Sequence, residues 1–127
     1  MSTSLNWGIL GTGRIAGVFA RALARSKSGR LAAVGSRSAE KAAAFAQQFP
    51  GTTAHASYEA LMADPAVQAV YIATPHPDHA AWVIRAAEAG RHVLCEKPLG
   101  LNHPEAMVAA GACRVHGVLL MEGYMYR

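Results

Sequence analysis

The chain has 127 residues, of which 52% are hydrophobic, and its formal net charge is +4 at pH 7. This length fits one domain with a real core, and no apolar run approaches the ~20 residues that cross a bilayer. No signal peptide is visible, and the two cysteines provide no disulfide framework, so a cytoplasmic protein is the simplest interpretation. The basic residues are scattered, which argues against nucleic-acid binding.

Short apolar runs alternate with helical stretches along the chain. The predicted strands are Leu5–Leu10, Leu31–Ser36, Thr53–His55, Ala69–Ala73, His92–Cys95 and Val118–Glu122. The predicted helices are Arg14–Ser26, Ala39–Phe49, a short helix capped by Ser57 and running through Met62, Asp78–Ala89 and His103–Val115. This alternation predicts an α/β fold with a doubly wound parallel sheet, a Rossmann fold of strand order 3-2-1-4-5-6, over residues 1–127.

The first strand runs into the sequence Gly11-Thr12-Gly13-Arg14-Ile15-Ala16, the G-x-G-x-x-A form of the dinucleotide fingerprint. Gly11 allows a tight turn, and Gly13 lets a pyrophosphate approach the backbone. Ala16 is small enough for the helix to lie close to the strand. The residues from Gly11 to Ile15 are therefore candidates for holding the pyrophosphate at a helix N-terminus.

The first helix is predicted to bury a stripe made of Ile15, Val18, Phe19, Ala22 and Leu23. In the helices that follow, Ser38, Ser57 and Asn102 are predicted N-caps. Gly90 and Gly117 lie where helix C-termini favour glycine.

The second strand is followed by Ser36, Arg37 and Ser38, with Lys41 shortly after. NAD enzymes usually place an acidic residue about 20 residues past the fingerprint, where it binds the ribose hydroxyls. Ser36 occupies that position, and a hydroxyl with a guanidinium suits a 2′-phosphate. Ser36, Arg37 and Lys41 therefore favour NADP, although NAD stays possible if Arg37 only stacks on the adenine.

The fourth strand is followed by Ala73, Thr74, Pro75 and His76, and then by His79 in the first turn of the next helix. Prolines on both sides of His76 make this loop stiff. We expect it to line the nicotinamide side of the cofactor. A metal site at the two histidines is disfavoured because no further ligand converges on them.

The fifth strand is followed by Glu96, Lys97 and Pro98. A lysine before proline at a strand end is held rigidly, and the proline amide makes a cis peptide bond accessible. Lys97 is the candidate catalytic proton donor. Glu96 is expected to orient Lys97 or to bind a ribose hydroxyl.

These motifs together resemble the Gfo/Idh/MocA family of oxidoreductases, which includes glucose-fructose oxidoreductase and inositol dehydrogenase. The matching sequences are Gly8 to Ala16, Tyr71 to Pro75, Glu96-Lys97-Pro98, Ser57 to Leu61, and Glu122 to Arg127. The run from Ser36 to Lys41 is similar to that of NADP-leaning members such as the dihydrodiol dehydrogenases.

The resemblance implies that Lys97 assists proton transfer or positions the substrate, with a cis peptide bond before Pro98. It also implies a second domain that supplies an Asp and a His near the substrate, beyond the end of this chain. The expected reaction is hydride transfer between NADP(H) or NAD(H) and a carbinol or carbonyl carbon of a sugar, polyol or diol.

Residues 1–127 are therefore expected to be the cofactor-binding part of a homo-oligomeric enzyme, inactive alone, with apolar surface exposed near Met121–Tyr126. The alternative is a non-catalytic dinucleotide sensor that regulates a partner protein. Lys97 argues against the sensor, which has no need of a proton donor.

Overall fold

The computed structural model describes residues 4–74, 76–96 and 102–123. Its sheet is parallel throughout and has the predicted strand order, β3-β2-β1-β4-β5-β6. The strands are β1 (Leu5–Leu10), β2 (Gly29–Gly35), β3 (Thr53–His55), β4 (Ala69–Ile72), β5 (His92–Glu96) and β6 (Leu120–Gly123). The helices are α1 (Arg14–Ala24), α2 (Ala39–Gln47), α3 (Tyr58–Met62), α4 (His79–Glu88) and α5 (His103–Val115), with a 3-10 turn over His76–Asp78. The strand order reverses between β1 and β4, which places the ligand crevice beyond their carboxyl ends.

Two apolar layers cover the faces of the sheet, because successive side chains of a strand point to opposite sides. Ile9 and Tyr71 lie in the layer that contains α1 and α2. Leu10 and Ile72 lie in the layer that contains α3, α4 and α5. All four are buried, and each contributes about 1.5–3 kcal/mol of burial free energy. The sheet is thus a rigid base for the loops at its carboxyl edge.

The predicted apolar stripe of α1 is wrong in part. Leu23 is buried as expected, but Val18 and Ala22 are exposed, and the small residues Ala16, Gly17 and Ala20 face the sheet instead. Close approach of a helix to a sheet favours residues with little side-chain volume, so the bulkier Val18 turns outward. Ala16 therefore has the close-packing position expected from the fingerprint.

Several element boundaries differ from the prediction by one or two residues. β2 begins at Gly29 because Gly29 and Arg30 pair with the first residues of β1, and Arg30 also donates to the Asn6 side chain. β6 begins only at Leu120, because the Val118 amide donates to Cys113 and completes the turn after α5. α1 and α2 each end two residues early.

The helix termini follow the predicted signals. The side chains of Ser38, Ser57 and Asn102 accept hydrogen bonds from amides of the first turns of α2, α3 and α5. Gly90 and Gly117 have φ of +80° and +69° after α4 and α5. Within the described ranges, no helix combines the length and apolar character needed to cross a membrane.

Candidate dinucleotide-binding site

A cleft of about 460 Å³ lies beyond the carboxyl ends of β1, β2 and β4. Its lining residues come from the three loops that follow these strands, from the first turn of α2 and from α3; they are Gly11, Thr12, Gly13, Ser36, Arg37, Ser38, Lys41, Tyr58, Ala73 and Thr74. Residues far apart in the sequence thus converge where the strand order reverses, which is the position expected for a dinucleotide.

The glycine loop forms the floor of this cleft. Gly11 has a φ of +113°, and a Cβ built there would lie 3.0 Å from the carbonyl oxygen of Ala73. Gly13 differs, because its φ is −79° and a Cβ would meet no atom within 4 Å. The fold therefore requires glycine at position 11, whereas the open space beside Gly13 is available to a bound molecule.

The N-terminus of α1 faces the cleft without a side-chain cap. Gly13 is the N-cap residue, and the first turn of α1 contains no acidic residue. In contrast, α2, α3 and α5 each have a side-chain cap and a glutamate in the first turn. The first N–H groups of α1, which have no acceptor within the helix, and its partial positive charge thus suit an anion.

Two cationic side chains line the β2 side of the cleft. Lys41 is exposed, and the Arg37 side chain is 71% exposed. The Arg37 guanidinium lies 5.6 Å from the ring centre of Tyr58 and 3.7 Å from a carboxylate oxygen of Asp78. Ser36 is buried, and its hydroxyl accepts a hydrogen bond from the Ser38 amide. Ser36 therefore shapes the turn that presents Arg37.

The loop after β4 contains an unpaired polar atom. Thr74 is 6% exposed, and its hydroxyl has no hydrogen-bond partner within the described part of the chain. The Thr74 carbonyl accepts a hydrogen bond of 2.7 Å from Nε2 of His79, which is buried at the start of α4 as predicted. His79 thus braces the loop through the Thr74 carbonyl. The predictions for Pro75 and the His76 side chain fall outside the described residues.

A partly buried hydrogen bond joins the end of β5 to β4. The Tyr71 hydroxyl donates to the Glu96 carboxylate. Burial, together with this carboxylate, raises the Tyr71 pKa far above its usual value, so the phenol stays protonated. Burial also raises the pKa of the neighbouring Cys95 thiol to about 12, which makes Cys95 an inert core residue. Lys97 and the peptide bond before Pro98 lie outside the described residues.

Not every predicted site residue lines the cleft. Arg14 is exposed and Ile15 is half-buried in the first turn of α1, while Glu96 and His79 lie at neighbouring strand and helix ends. Tyr58 and Ser38 do line it, and the sequence had suggested no binding role for either. Among the described residues, no three His, Cys, Asp or Glu side chains cluster as a metal site.

Residues 5–124 match the family model described as "Oxidoreductase family, NAD-binding Rossmann fold". The chain is 43% identical over 121 residues to a D-xylose 1-dehydrogenase (NADP(+)) of Haloferax volcanii, covering 95% of this chain and 37% of that protein. It is 41% identical over 126 residues to the trans-1,2-dihydrobenzene-1,2-diol dehydrogenase of Mus musculus, covering 98% of this chain and 38% of that protein.

Solved structures of oxidoreductases are also similar to this chain. A 3-ketoreductase from Actinomadura kijaniata, in complex with NADP and TDP-benzene, superposes with a TM-score of 0.89 at 36% identity, covering 95% of this chain and 37% of that one. An NAD-binding oxidoreductase from Klebsiella pneumoniae gives a TM-score of 0.89 at 32% identity, covering 95% and 34%. The fold, the cleft at the strand-order reversal and these matches agree, and the chain belongs to the Gfo/Idh/MocA oxidoreductase family as its NAD-binding Rossmann domain.

Proposed function

We propose that the cleft binds NADP(H) in preference to NAD(H). The observation that carries this proposal is the convergence of the glycine loop with Arg37 and Lys41 in one cleft. The features of the cleft fit a dinucleotide: open space beside Gly13, an uncapped helix N-terminus, two cations and a Thr74 hydroxyl that has no hydrogen-bond partner among the described residues. The names of the xylose dehydrogenase and the ketoreductase complex point to the same cofactor.

Each cofactor group has candidate partners in this chain. The residues from Gly11 to Ile15 would hold the pyrophosphate, and Ser36, Arg37 and Lys41 would hold the 2′-phosphate. The loop comprising Ala73, Thr74, Pro75 and His76, braced by His79, would line the nicotinamide side. NADP(H) supplies the hydride when bound, and the protein orients it.

For the complete enzyme we propose oxidation or reduction at a carbinol or carbonyl carbon of a sugar, polyol or diol. The sugar and diol dehydrogenases among the relatives support this substrate class. Lys97 is the proposed proton donor to the substrate oxygen. Glu96, held by Tyr71 at the end of the preceding strand, would orient Lys97 or bind a ribose hydroxyl.

The cofactor preference can be measured directly. We expect NADPH to bind about tenfold more tightly than NADH, or about 1.4 kcal/mol, because Arg37 and Lys41 attract the 2′-phosphate. Arg37→Asp should abolish the preference when both dissociation constants are measured by fluorescence titration. Arg85→Asp is the matched control, since Arg85 also lies over an aromatic ring and pairs with a carboxylate, away from the cleft. Equal affinities in the wild type, or a preserved preference in Arg37→Asp, would contradict the proposal.

Thr74 offers a test in which stability and binding change in opposite directions. Thr74→Val removes a buried hydroxyl that has no partner in the part of the chain that the structure describes, so the free energy of unfolding should rise by about 1 kcal/mol. NADPH affinity should fall about tenfold, because the bound cofactor loses its hydrogen bond with the buried Thr74 hydroxyl. Thr52→Val is the control, since the Thr52 hydroxyl already donates to Leu31. Unchanged NADPH affinity in Thr74→Val would remove Thr74 from the site.

We further propose that, apart from Lys97, the groups that contact the substrate come from residues outside this chain, which spans 37% and 38% of the length of the two curated relatives. Hydride transfer requires the reacting carbon to be held about 3–3.5 Å from the nicotinamide and shielded from water. Residues 1–127 alone should therefore bind NADPH yet show negligible turnover with polyols, sugars and diols. Turnover of any of these substrates at an ordinary enzymatic rate by residues 1–127 alone would refute the proposal that the substrate site needs residues outside this chain.

A cytoplasmic homo-oligomer is also part of the proposal. Both cysteines are free and buried, as in proteins of reducing compartments. Exposed apolar side chains on and after α5 would pack in the complete assembly; they are Met107, Val108, Val115, Leu119 and Met121.

A further inference from the structure

Three side chains from separate elements meet at one edge of the cleft. Arg37 comes from the loop after β2, Tyr58 from α3, and Asp78 from the 3-10 turn after β4. The Arg37 guanidinium lies over the Tyr58 ring and is 3.7 Å from an Asp78 carboxylate oxygen. Tyr58 itself is buried and packs edge-on against Trp82, so the ring is a fixed support for the guanidinium.

Arg37 and Asp78 both influence the pKa of the Tyr58 phenol. Burial raises the pKa of the Tyr58 phenol, the Arg37 charge lowers it, and the Asp78 charge raises it further. Both charges therefore lie close enough to act on one hydroxyl. The loop after β2 has no acidic residue at the position that binds the ribose in NAD enzymes. Asp78, from the turn after β4, instead brings a carboxylate to Arg37 across the strand-order reversal.

We propose that Asp78 is a specificity-determining residue for the cofactor, because it offsets the charge of Arg37 and so limits the preference for NADPH over NADH. This inference rests on the proposed binding of NADP(H) in the cleft. A 2′-phosphate carries up to two negative charges and must compete with the Asp78 carboxylate for the guanidinium. A 2′-hydroxyl carries no charge, so NADH leaves the pair between Arg37 and Asp78 intact.

The effect has a predictable sign and a bounded size. The Asp78 side chain is 40% exposed and that of Arg37 is 71% exposed, so solvent weakens their attraction. Asp78→Asn should therefore increase NADPH affinity about fivefold and change NADH affinity less than twofold. Asn is as good an N-cap as Asp, and the Asp78 side chain makes no capping hydrogen bond to α4, so the helix should be unaffected.

The experiment compares NADPH and NADH dissociation constants for the wild-type chain, Asp78→Asn and Glu59→Gln. The control also removes one negative charge from an exposed ion pair, between Glu59 and Arg85 at 3.1 Å, which does not line the cleft. An NADPH-to-NADH preference that rises about fivefold in Asp78→Asn and less than twofold in Glu59→Gln supports the inference. If the wild-type chain binds NADPH but the NADPH-to-NADH preference changes equally in Asp78→Asn and Glu59→Gln, the inference about Asp78 is overturned and the proposed function is not. Failure of the wild-type chain to bind either cofactor overturns the proposed function itself, and the inference with it.

Discussion

Replacing Gly13 with aspartate is expected to weaken NADPH binding at least about 100-fold, or about 2.8 kcal/mol, while the domain stays folded. The backbone at Gly13 is extended, with φ −79° and ψ −168°, and a Cβ would meet no atom within 4 Å. Aspartate is also a favourable N-cap residue, so α1 should be as stable as before or slightly more stable. The new carboxylate would occupy the place of the pyrophosphate and repel it.

The matched control is Gly111→Asp on α5, where a Cβ would lie 3.9 Å from the Arg114 guanidinium and, chain neighbours and its own helix backbone aside, within 4 Å of no other group among the described residues. It makes the same substitution outside the cleft, and NADPH affinity should be unchanged. Titration calorimetry with NADPH, paired with urea unfolding, separates binding from stability. If Gly13→Asp bound NADPH as tightly as Gly111→Asp, the pyrophosphate would not lie at the glycine loop.

Replacing Gly11 with alanine should have the opposite profile and reduce stability first. The φ of +113° is unfavourable for a residue with a side chain, and the added Cβ would press on the Ala73 carbonyl at 3.0 Å. We expect the free energy of unfolding to fall by about 2 kcal/mol or more. The measurement is the urea midpoint at constant m-value.

Gly51→Ala isolates the backbone part of this effect. Gly51 has a φ of +87° but open space around the position of a Cβ, so alanine there should cost only about 1 kcal/mol. If Gly11→Ala lowered the free energy of unfolding no more than Gly51→Ala does, the contact with the Ala73 carbonyl would not constrain position 11.

Most element positions follow from the sequence because they depend on local patterns, and the strand order follows from the alternation of strands and helices with right-handed crossovers. The apolar runs that form β1 and β4 are continuous in the sequence. The side chains of Ser38 and Asn102 cap helices by accepting hydrogen bonds from amides three residues further along the chain. The fingerprint adds the helix that follows β1. The prediction failed at Val18, because periodicity alone does not reveal which face of α1 must be narrow enough to approach the sheet.

The details of the site depend on contacts between distant parts of the chain, which a single sequence does not reveal. The pair between Arg37 and Asp78 joins two loops that only the strand-order reversal brings together. Tyr71 and Glu96 are 25 residues apart in the sequence and meet because β4 and β5 pair side by side, and burial there favours a neutral phenol beside a carboxylate. Residue types after each strand indicated the chemistry, and the topology determined which of them meet.

The most direct test of the cofactor site is an NMR titration of the 127-residue chain with NADPH, following each backbone amide. The largest shifts should fall on Gly11–Ile15, on Ser36–Lys41 and at Thr74, around the cleft at the carboxyl edge of the sheet. Shifts confined to the groove between α4 and α5, or to the amino edge of the sheet, would contradict the assignment of this cleft to the dinucleotide.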